Sequence, residues 1–185
     1  MKTIQGDLAK AGTRRKAIWA IVQYFQGWGW PRYPTLQELR AMSYLSIIHG
    51  ANGITWYTYG GHGKNHGVTD NKDVWKNICD VAGEISKLHD VLVEPTGAQP
   101  PPPVILSGSP KDALGHPSIS FLLKEHGGKK WLLAANSSNG LVSAQFPMPK
   151  GRKLDLPFEG RRVRGTDRGF IDTFVPYGVH VYLFE

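Results

Sequence analysis

Apolar residues follow two different patterns along this chain of 185 residues, and the pattern changes near its middle. In the first half, continuous apolar runs alternate with stretches in which apolar residues recur every three or four positions. Continuous runs are typical of parallel strands covered on both faces, and the longer period is typical of amphipathic helices. In the second half, apolar and polar residues alternate, which favours antiparallel strands.

Two strand–helix units are predicted in the first half. Strands are expected at residues 17–25 and 53–59, which are apolar and rich in β-branched and aromatic side chains. Thr35 can cap the helix between them, and Glu38 completes a capping box, so this helix should run to about His49. Because two strands joined through a helix usually lie side by side in the same direction, we expect a parallel pair.

A second helix is predicted to start near Asp70 or Asn71. Its apolar residues recur at spacings of four and three, at Val74, Ile78, Val81, Ile85, Leu88 and Leu92. Cys79 is the one cysteine, so the fold cannot depend on an intramolecular disulfide. We expect Cys79 to be a small buried apolar group on this helix.

A proline-rich stretch separates the two halves. Residues 95–103 end in four consecutive prolines, which fix the backbone and remove hydrogen-bond donors, so this stretch should be a stiff linker. The predicted domains are therefore 1–94 and 104–185. Strand candidates in the second domain alternate in polarity and are separated by glycine-containing turns, which favours a small antiparallel β-sandwich; they are residues 118–123, 130–135, 141–146 and 179–184.

Composition and charge narrow the class of protein. A hydrophobic fraction of 41% and a charged fraction of 20% are those of a folded soluble protein. The formal net charge of +7 raises the question of nucleic acid, but the basic residues are dispersed, which favours a solvated basic surface. Residues 1–16 are too polar for a signal peptide and no apolar run has membrane-spanning length, so we expect a cytoplasmic protein without membrane contact, unless the chain is part of a longer exported protein.

Five motifs stand out along the two halves of the chain. They are IWAIVQYF at 18–25, YPTLQELRAMSYL at 33–45, HGANGI at 49–54, WYTY at 56–59 and GFIDTFVPYGVHVY at 169–182. With these motifs the sequence resembles the last two strand–helix units of glycoside-hydrolase-like (β/α)8 barrels, of the kind found near bacterial β-galactosidases, and the β-domain that often follows such barrels. The resemblance implies α/β plus all-β architecture, with a partial barrel at 1–94 and a β-sandwich at 104–185.

Candidate ligand-binding residues follow the two predicted strands. Barrel proteins bind ligands at the carboxyl ends of their strands, and those ends carry residues 23–33 and 56–71 here. Aromatic rings can stack on sugar C–H surfaces while polar groups fix the hydroxyls, so a carbohydrate is the expected partner. Packing within the fold is the alternative role for the aromatics. The predicted substrate-binding residues are Gln23, Trp28, Trp30, Tyr33, Trp56, Tyr59 and His62.

The catalytic residues stay unknown. The resemblance implies one carboxylate after the fourth barrel strand, which is absent here, and another after the seventh, where this chain has Gln23. An amide cannot act as a carboxylate nucleophile. Asp70 is the acid in these loops, with helix capping as its alternative role. The leading hypothesis is a carbohydrate-active protein of glycoside hydrolase type, and the alternative is a non-catalytic carbohydrate-binding or assembly module.

Two histidines and an aspartate in the second loop could form a metal site, or the histidines could instead contact ligand or solvent. His62, His66 and Asp70 recur every four residues, a spacing that would bring them together on a helix. The segment is too rich in glycine to form a stable helix, so the spacing loses this meaning. We therefore expect neither a metal nor another cofactor.

The predicted parallel strands also bear on assembly. Residues 18–25 and 54–59 contain no lysine or proline that would discourage edge pairing. Either the β-domain covers the open strands, or several copies of the chain associate through them. We expect a homo-oligomer, because the prolines of the linker should hold the β-domain away.

Overall fold

The computed structural model describes residue 10 and residues 16–147 and 153–185. The chain divides into two compact units, Met1–Gly83 and Glu84–Glu185. It is a mixed protein in which strands predominate and the larger sheets are antiparallel. No helix in the described ranges is long and apolar enough to cross a membrane.

The first unit is built on two parallel strands joined through a helix. Strand β1 pairs with β2 so that Trp19 lies opposite Gly53 and Gln23 lies opposite Tyr57. The predicted strand–helix–strand order and the parallel pairing are confirmed. The elements are β1 (Trp19–Gln23), α1 (Leu36–Ile48), β2 (Gly53–Tyr57), a short 3-10 helix (Val68–Asp70) and α2 (Lys72–Ser86).

The start of α1 is fixed by the predicted capping box. Thr35 Oγ1 accepts a hydrogen bond from Glu38 N at 3.2 Å, and Glu38 Oε2 accepts one from Thr35 N at 2.7 Å. Arg32 adds two charge-assisted bonds to the same carboxylate, at 2.7 and 2.8 Å. These bonds from Arg32, outweighing burial, lower the pKa of Glu38 to about 2. The loop after β1 is thereby tied to the first turn of α1.

One face of the β1–β2 sheet is buried and the other is exposed. Val22 and Tyr24 are buried on one face, where the Tyr24 hydroxyl accepts a hydrogen bond from Asn77 of α2 at 3.0 Å. On the opposite face, Trp19 is 67% exposed and Ile21 is 73% exposed. The Trp19 ring lies over Gly53, where an added Cβ would come within 2.7 Å of the ring. We call the second face the open face of the sheet.

The second predicted helix is two helices. Helix α2 ends at Ser86, and a separate helix α3 follows at His89–Val93. The last turn tightens at Leu88, whose N–H donates to Ile85 O at 3.0 Å, and Leu88 is fully buried. The expectation of one helix to Leu92 is therefore wrong. The expectation for Cys79 is also wrong, because the buried positions include its neighbour Ile78 and leave Cys79 exposed.

The second unit contains two antiparallel sheets around one core. The larger sheet has the order β4-β5-β10-β7-β8, and the smaller has the order β3-β6-β9. Residues of both sheets share a single hydrophobic cluster in which Phe146 stacks on Phe170 at 4.9 Å. The strands are β3 (Val104–Ser107), β4 (Ile119–His126), β5 (Lys129–Asn136), β6 (Val142–Phe146), β7 (Lys153–Leu156), β8 (Arg161–Arg164), β9 (Phe170–Phe174) and β10 (Val179–Phe184).

Part of the predicted linker is bound to the second unit. The Gln99 side chain accepts a hydrogen bond from Leu123 N at 2.7 Å and donates one to Leu123 O at 3.0 Å. Directly before the linker, the Glu94 carboxylate lies 2.9 Å from His126 Nδ1, and the Glu94 backbone carbonyl accepts a hydrogen bond from Lys124 Nζ. Since β4 is an edge strand, Gln99 satisfies backbone groups that the edge would otherwise expose.

A polar network connects the two sheets. Arg161 on β8 binds both carboxylate oxygens of Asp172 on β9, at 3.2 and 2.7 Å, and its Nε donates to Glu159 at 2.7 Å. Glu159 also lies 2.6 Å from His180 Nδ1, and Tyr182 donates to Asp172 at 2.8 Å. Because these residues come from β8, β9, β10 and the turn before β8, the network fixes one sheet against the other.

We expect this network to govern acid stability. Burial raises the pKa of Asp172 and of Glu159, but hydrogen bonds from Arg161, Tyr182 and His180 outweigh it and lower both pKa values. A carboxylate whose pKa falls on folding stabilises the protein above its unfolded pKa, and this stabilisation is lost as the pH drops. Unfolding should therefore become easier below the ordinary values of 4.5 and 3.8.

Asp172→Asn should lower the free energy of unfolding at neutral pH by about 2–3 kcal/mol and flatten its decline in acid. Asp155→Asn is the control, because Asp155 pairs with Arg162 at the surface and should contribute less than about 1 kcal/mol. Urea unfolding between neutral pH and pH 3 measures both. Equal acid sensitivity of Asp172→Asn and the unsubstituted protein would contradict the assignment.

Candidate functional site

Two loops meet at the carboxyl ends of β1 and β2. Residues 24–35 form the first loop and residues 58–71 form the second. Gln26 and His66 exchange backbone hydrogen bonds of 3.1 and 2.8 Å, and Tyr24 N donates to Tyr57 O at 2.6 Å. The parallel pairing of the strands places both loops at one edge, and these bonds join them into one surface.

A tight turn in the first loop presents Trp28. Gly27 and Trp30 exchange backbone bonds of 2.9 Å each. Gly27, Trp28 and Gly29 all have positive φ, at 115°, 49° and 92°. This conformation is uncommon for a bulky residue such as tryptophan, and Asn65 Oδ1 stabilises it by accepting from Trp28 N at 2.8 Å. Strained backbone of this kind is concentrated at functional sites.

Trp28 belongs to a partly exposed aromatic cluster. Its ring lies 4.9 Å from that of Phe25 and 6.4 Å from that of Tyr57, and Phe25 and Tyr57 are 5.8 Å apart. Trp28 and Tyr57 are each 50% exposed. Gln23 lies opposite Tyr57 in the strand register, and so on the same open face. We call Phe25, Trp28 and Tyr57 the inner aromatic cluster.

Two of the predicted site residues have structural contacts. The Tyr33 hydroxyl donates to Gly67 O at 2.8 Å and so fastens the first loop to the second. Trp56 lies on the helix-covered face of β2, where its indole N–H donates to Ser43 Oγ on α1 at 3.1 Å. Trp56 is therefore on the opposite side of the sheet from the inner aromatic cluster.

The other three predicted site residues are exposed in the two loops. Trp30 closes the tight turn, and His62 lies in a turn in which its carbonyl accepts from Asn65 N at 3.1 Å. Tyr59 packs edge-to-face on Trp75 of α2, with ring centroids 6.3 Å apart. The register places Gln23 opposite Tyr57, whose ring lies near that of Trp28, whereas Trp30, Tyr59 and His62 lie elsewhere on the two loops.

Polar contacts give Asp70 a structural role. Asp70 is the one acidic residue of the two loops, and its Oδ2 accepts from Gly67 N at 2.7 Å. His66 Nδ1 lies 3.9 Å from the same oxygen. The helix cap is instead Asn71, whose Oδ1 accepts from Asp73 N at 2.9 Å. Within the described residues, no group of three histidine, cysteine, aspartate or glutamate side chains is placed to hold a metal ion.

Phe25 and Tyr57 were not among the residues selected from the sequence. Tyr57 could have been found, because strand alternation places it on the same face as Gln23. Phe25 could not, because its contact with Trp28 depends on how the loop turns at Gly27.

Comparisons with known proteins support the fold alone. No family model matches the chain, and no curated protein matches it. An α-amylase from Geobacillus thermoleovorans, solved with acarbose, aligns with a TM-score of 0.56 at 11% identity over 84% of this chain and 34% of that chain. An Anoxybacillus α-amylase aligns with a TM-score of 0.52 at 12% identity, over 83% and 33% respectively.

AmyP, solved with maltotriose, aligns with a TM-score of 0.51 at 8% identity over 81% of this chain and 35% of that chain. The chain therefore spans about a third of the length of these structures. At this level of identity the likeness concerns the fold, and it places this fold beside parts of glycoside hydrolase structures.

The tight turn should be sensitive to substitution at Gly27. A Cβ there would lie 2.8 Å from Asn65 Cα, whereas a Cβ at Gly29 would meet nothing within 4 Å. Both positions have positive φ, which costs a residue other than glycine about 1–2 kcal/mol. Gly27→Ala should therefore destabilise the protein by more than Gly29→Ala in urea unfolding. Equal losses of stability would show that the approach of Asn65 is unimportant.

Proposed function

We propose that this protein binds an oligosaccharide at the inner aromatic cluster, as the carbohydrate-binding part of a glycoside-hydrolase-like fold. The observation that carries this proposal is a half-exposed tryptophan held in a left-handed conformation beside an equally exposed tyrosine. Sugar rings present flat C–H surfaces that stack on such aromatic faces, and Gln23 lies next to Tyr57 to bond a hydroxyl.

Preorganisation supports the same proposal. The hydrogen bond from Trp28 N to Asn65 and the paired backbone bonds between Gln26 and His66 fix the turn before a ligand arrives. A rigid aromatic surface loses little conformational entropy on binding. The similar solved structures contain acarbose and maltotriose, which makes α-glucan oligosaccharides reasonable probes beside β-glucan, xylan and galactan fragments.

The same residues favour binding over hydrolysis. Glycoside hydrolysis normally needs two carboxyl groups that face each other across the bond to be broken. The two loops supply Asp70 alone, and its carboxylate is engaged by Gly67 N. Glu38, at the start of α1, is held by Arg32, and its pKa of about 2 makes it unsuited to donate a proton at neutral pH. Catalysis would require carboxylates from outside these loops.

Trp28→Ala should weaken oligosaccharide binding by about tenfold, which corresponds to ~1.4 kcal/mol. Tyr57→Ala should act in the same direction. Trp19→Ala is the control, because Trp19 is exposed on the same sheet but lies at the opposite end of β1, about 13 Å from Gln23 along the strand. Isothermal titration with maltotriose, xylotriose and β-glucan or galactan trisaccharides measures each affinity.

If none of these sugars binds the unsubstituted protein, the proposed function is wrong. If they bind and Trp28→Ala leaves every affinity unchanged, the inner aromatic cluster is not the binding surface.

The open face favours an additional role in assembly. Among the described residues, β1 and β2 pair with each other alone, so each has an unpaired edge, and Trp19 and Ile21 of β1 are exposed on the open face. Parallel sheets are normally covered on both faces. We infer that β1–α1–β2 is a barrel segment and that self-association covers its edges and the part of the open face that carries Trp19 and Ile21, which leaves Tyr57 accessible to a ligand.

Ile21→Lys should shift the protein to monomer, because a charge on the open face would have to be desolvated on association. Leu114→Lys is the control, since Leu114 is an exposed leucine of the second unit. Light scattering at micromolar concentration gives the mass, and circular dichroism verifies that both variants are folded. A stable unsubstituted monomer on dilution would contradict self-association and would favour the β-domain as the cover.

A further inference from the structure

A second exposed aromatic pair lies beside the inner cluster. Tyr59 is 71% exposed and Trp75 is 46% exposed, although each is in contact with the other at 6.3 Å and 86° between ring planes. An edge-to-face contact leaves one aromatic face largely uncovered. We call Tyr59 and Trp75 the outer aromatic pair.

The backbone positions of the outer aromatic pair are fixed. Thr69 donates twice to Tyr59 O, from its N at 3.1 Å and from its Oγ1 at 3.0 Å. Trp75 lies in the first turn of α2, where its N–H donates to Asn71 O at 3.0 Å and Asn71 caps the helix. Rigid, exposed aromatic residues are costly to leave in water and are characteristic of binding surfaces.

The outer aromatic pair is continuous with the inner cluster. Tyr57 belongs to the inner cluster, Tyr59 belongs to the outer pair, and Thr58 alone separates them in the chain. Two residue steps place their Cα atoms no more than about 8 Å apart. Tyr57 faces the open side of the sheet, whereas Tyr59 contacts α2, which packs on the covered side. The two aromatic surfaces therefore follow one another across the rim of the sheet.

We propose that the outer aromatic pair is a second sugar-contact site, which an oligosaccharide longer than a trisaccharide reaches when its other end lies on the inner aromatic cluster. This inference rests on the proposed function, because the inner cluster must bind the first part of the ligand. Tyr59 and Trp75 then strengthen the binding of long oligosaccharides alone, while Trp28 and Tyr57 strengthen the binding of oligosaccharides of every length.

The test compares matched trisaccharides and hexasaccharides, namely maltotriose with maltohexaose and xylotriose with xylohexaose. The unsubstituted protein should bind the hexasaccharide of the preferred series about tenfold more tightly than its trisaccharide. Trp75→Ala should abolish that gain and leave the trisaccharide affinity within about twofold, whereas Trp28→Ala should weaken both. Trp75→Phe, which keeps an aromatic face, should retain most of the gain.

The outcomes separate the two proposals. If no sugar of either length binds, the proposed function fails, and this inference fails with it. If trisaccharides bind but hexasaccharides bind no more tightly, or if Trp75→Ala retains the gain, the outer aromatic pair is not a sugar contact and the proposed function is unaffected. A change in particle mass for Trp75→Ala without a change in affinity would also overturn the inference, and would assign the pair to assembly.

Discussion

The parallel pairing of β1 and β2 is the constraint on which the first unit depends. It brings the loops after both strands to one edge, where Gln26 and His66 join them. Alternation along the same strands then sorts the side chains: Val22 and Tyr24 face the helices, while Ile21, Gln23 and Tyr57 face the open side. The parallel pairing of β1 and β2 in this register therefore produces both the candidate site and the open face.

In the candidate site, an unfavourable backbone conformation at Trp28 is stabilised by a residue of the neighbouring loop. Trp28 takes a backbone conformation that is unfavourable for its bulk, and the side chain of Asn65 stabilises that conformation from the neighbouring loop. Gly27 allows the two loops to approach that closely. The half-exposed ring that this turn presents is the basis of the proposed sugar contact.

Features encoded within a few residues could be predicted from the sequence. Thr35 and Glu38 predicted the start of α1 because a capping box is a local motif, and the glycines on either side of Trp28 predicted its exposure. Strands β7 and β8 were missed because each has four residues and includes charged ones. In β7 the charged residues alternate with the buried Leu154 and Leu156, and β8 has three arginines around Val163. The role of Tyr57 was missed because the apolar run in β2 predicted a strand covered on both faces, and one face is open.

The central claim is that sugar binds against Trp28, and the chain has six tryptophans whose indole N–H signals can be followed separately by NMR. Titration with maltotriose and xylotriose is the direct measurement, after assignment of each signal by substitution. The account predicts that the Trp28 signal shifts with saturation, while the signals of Trp56, which is bonded to Ser43, and of Trp131 on β5 stay in place. A saturable shift of Trp131 with no shift of Trp28 would place the sugar on the β-domain and contradict the account.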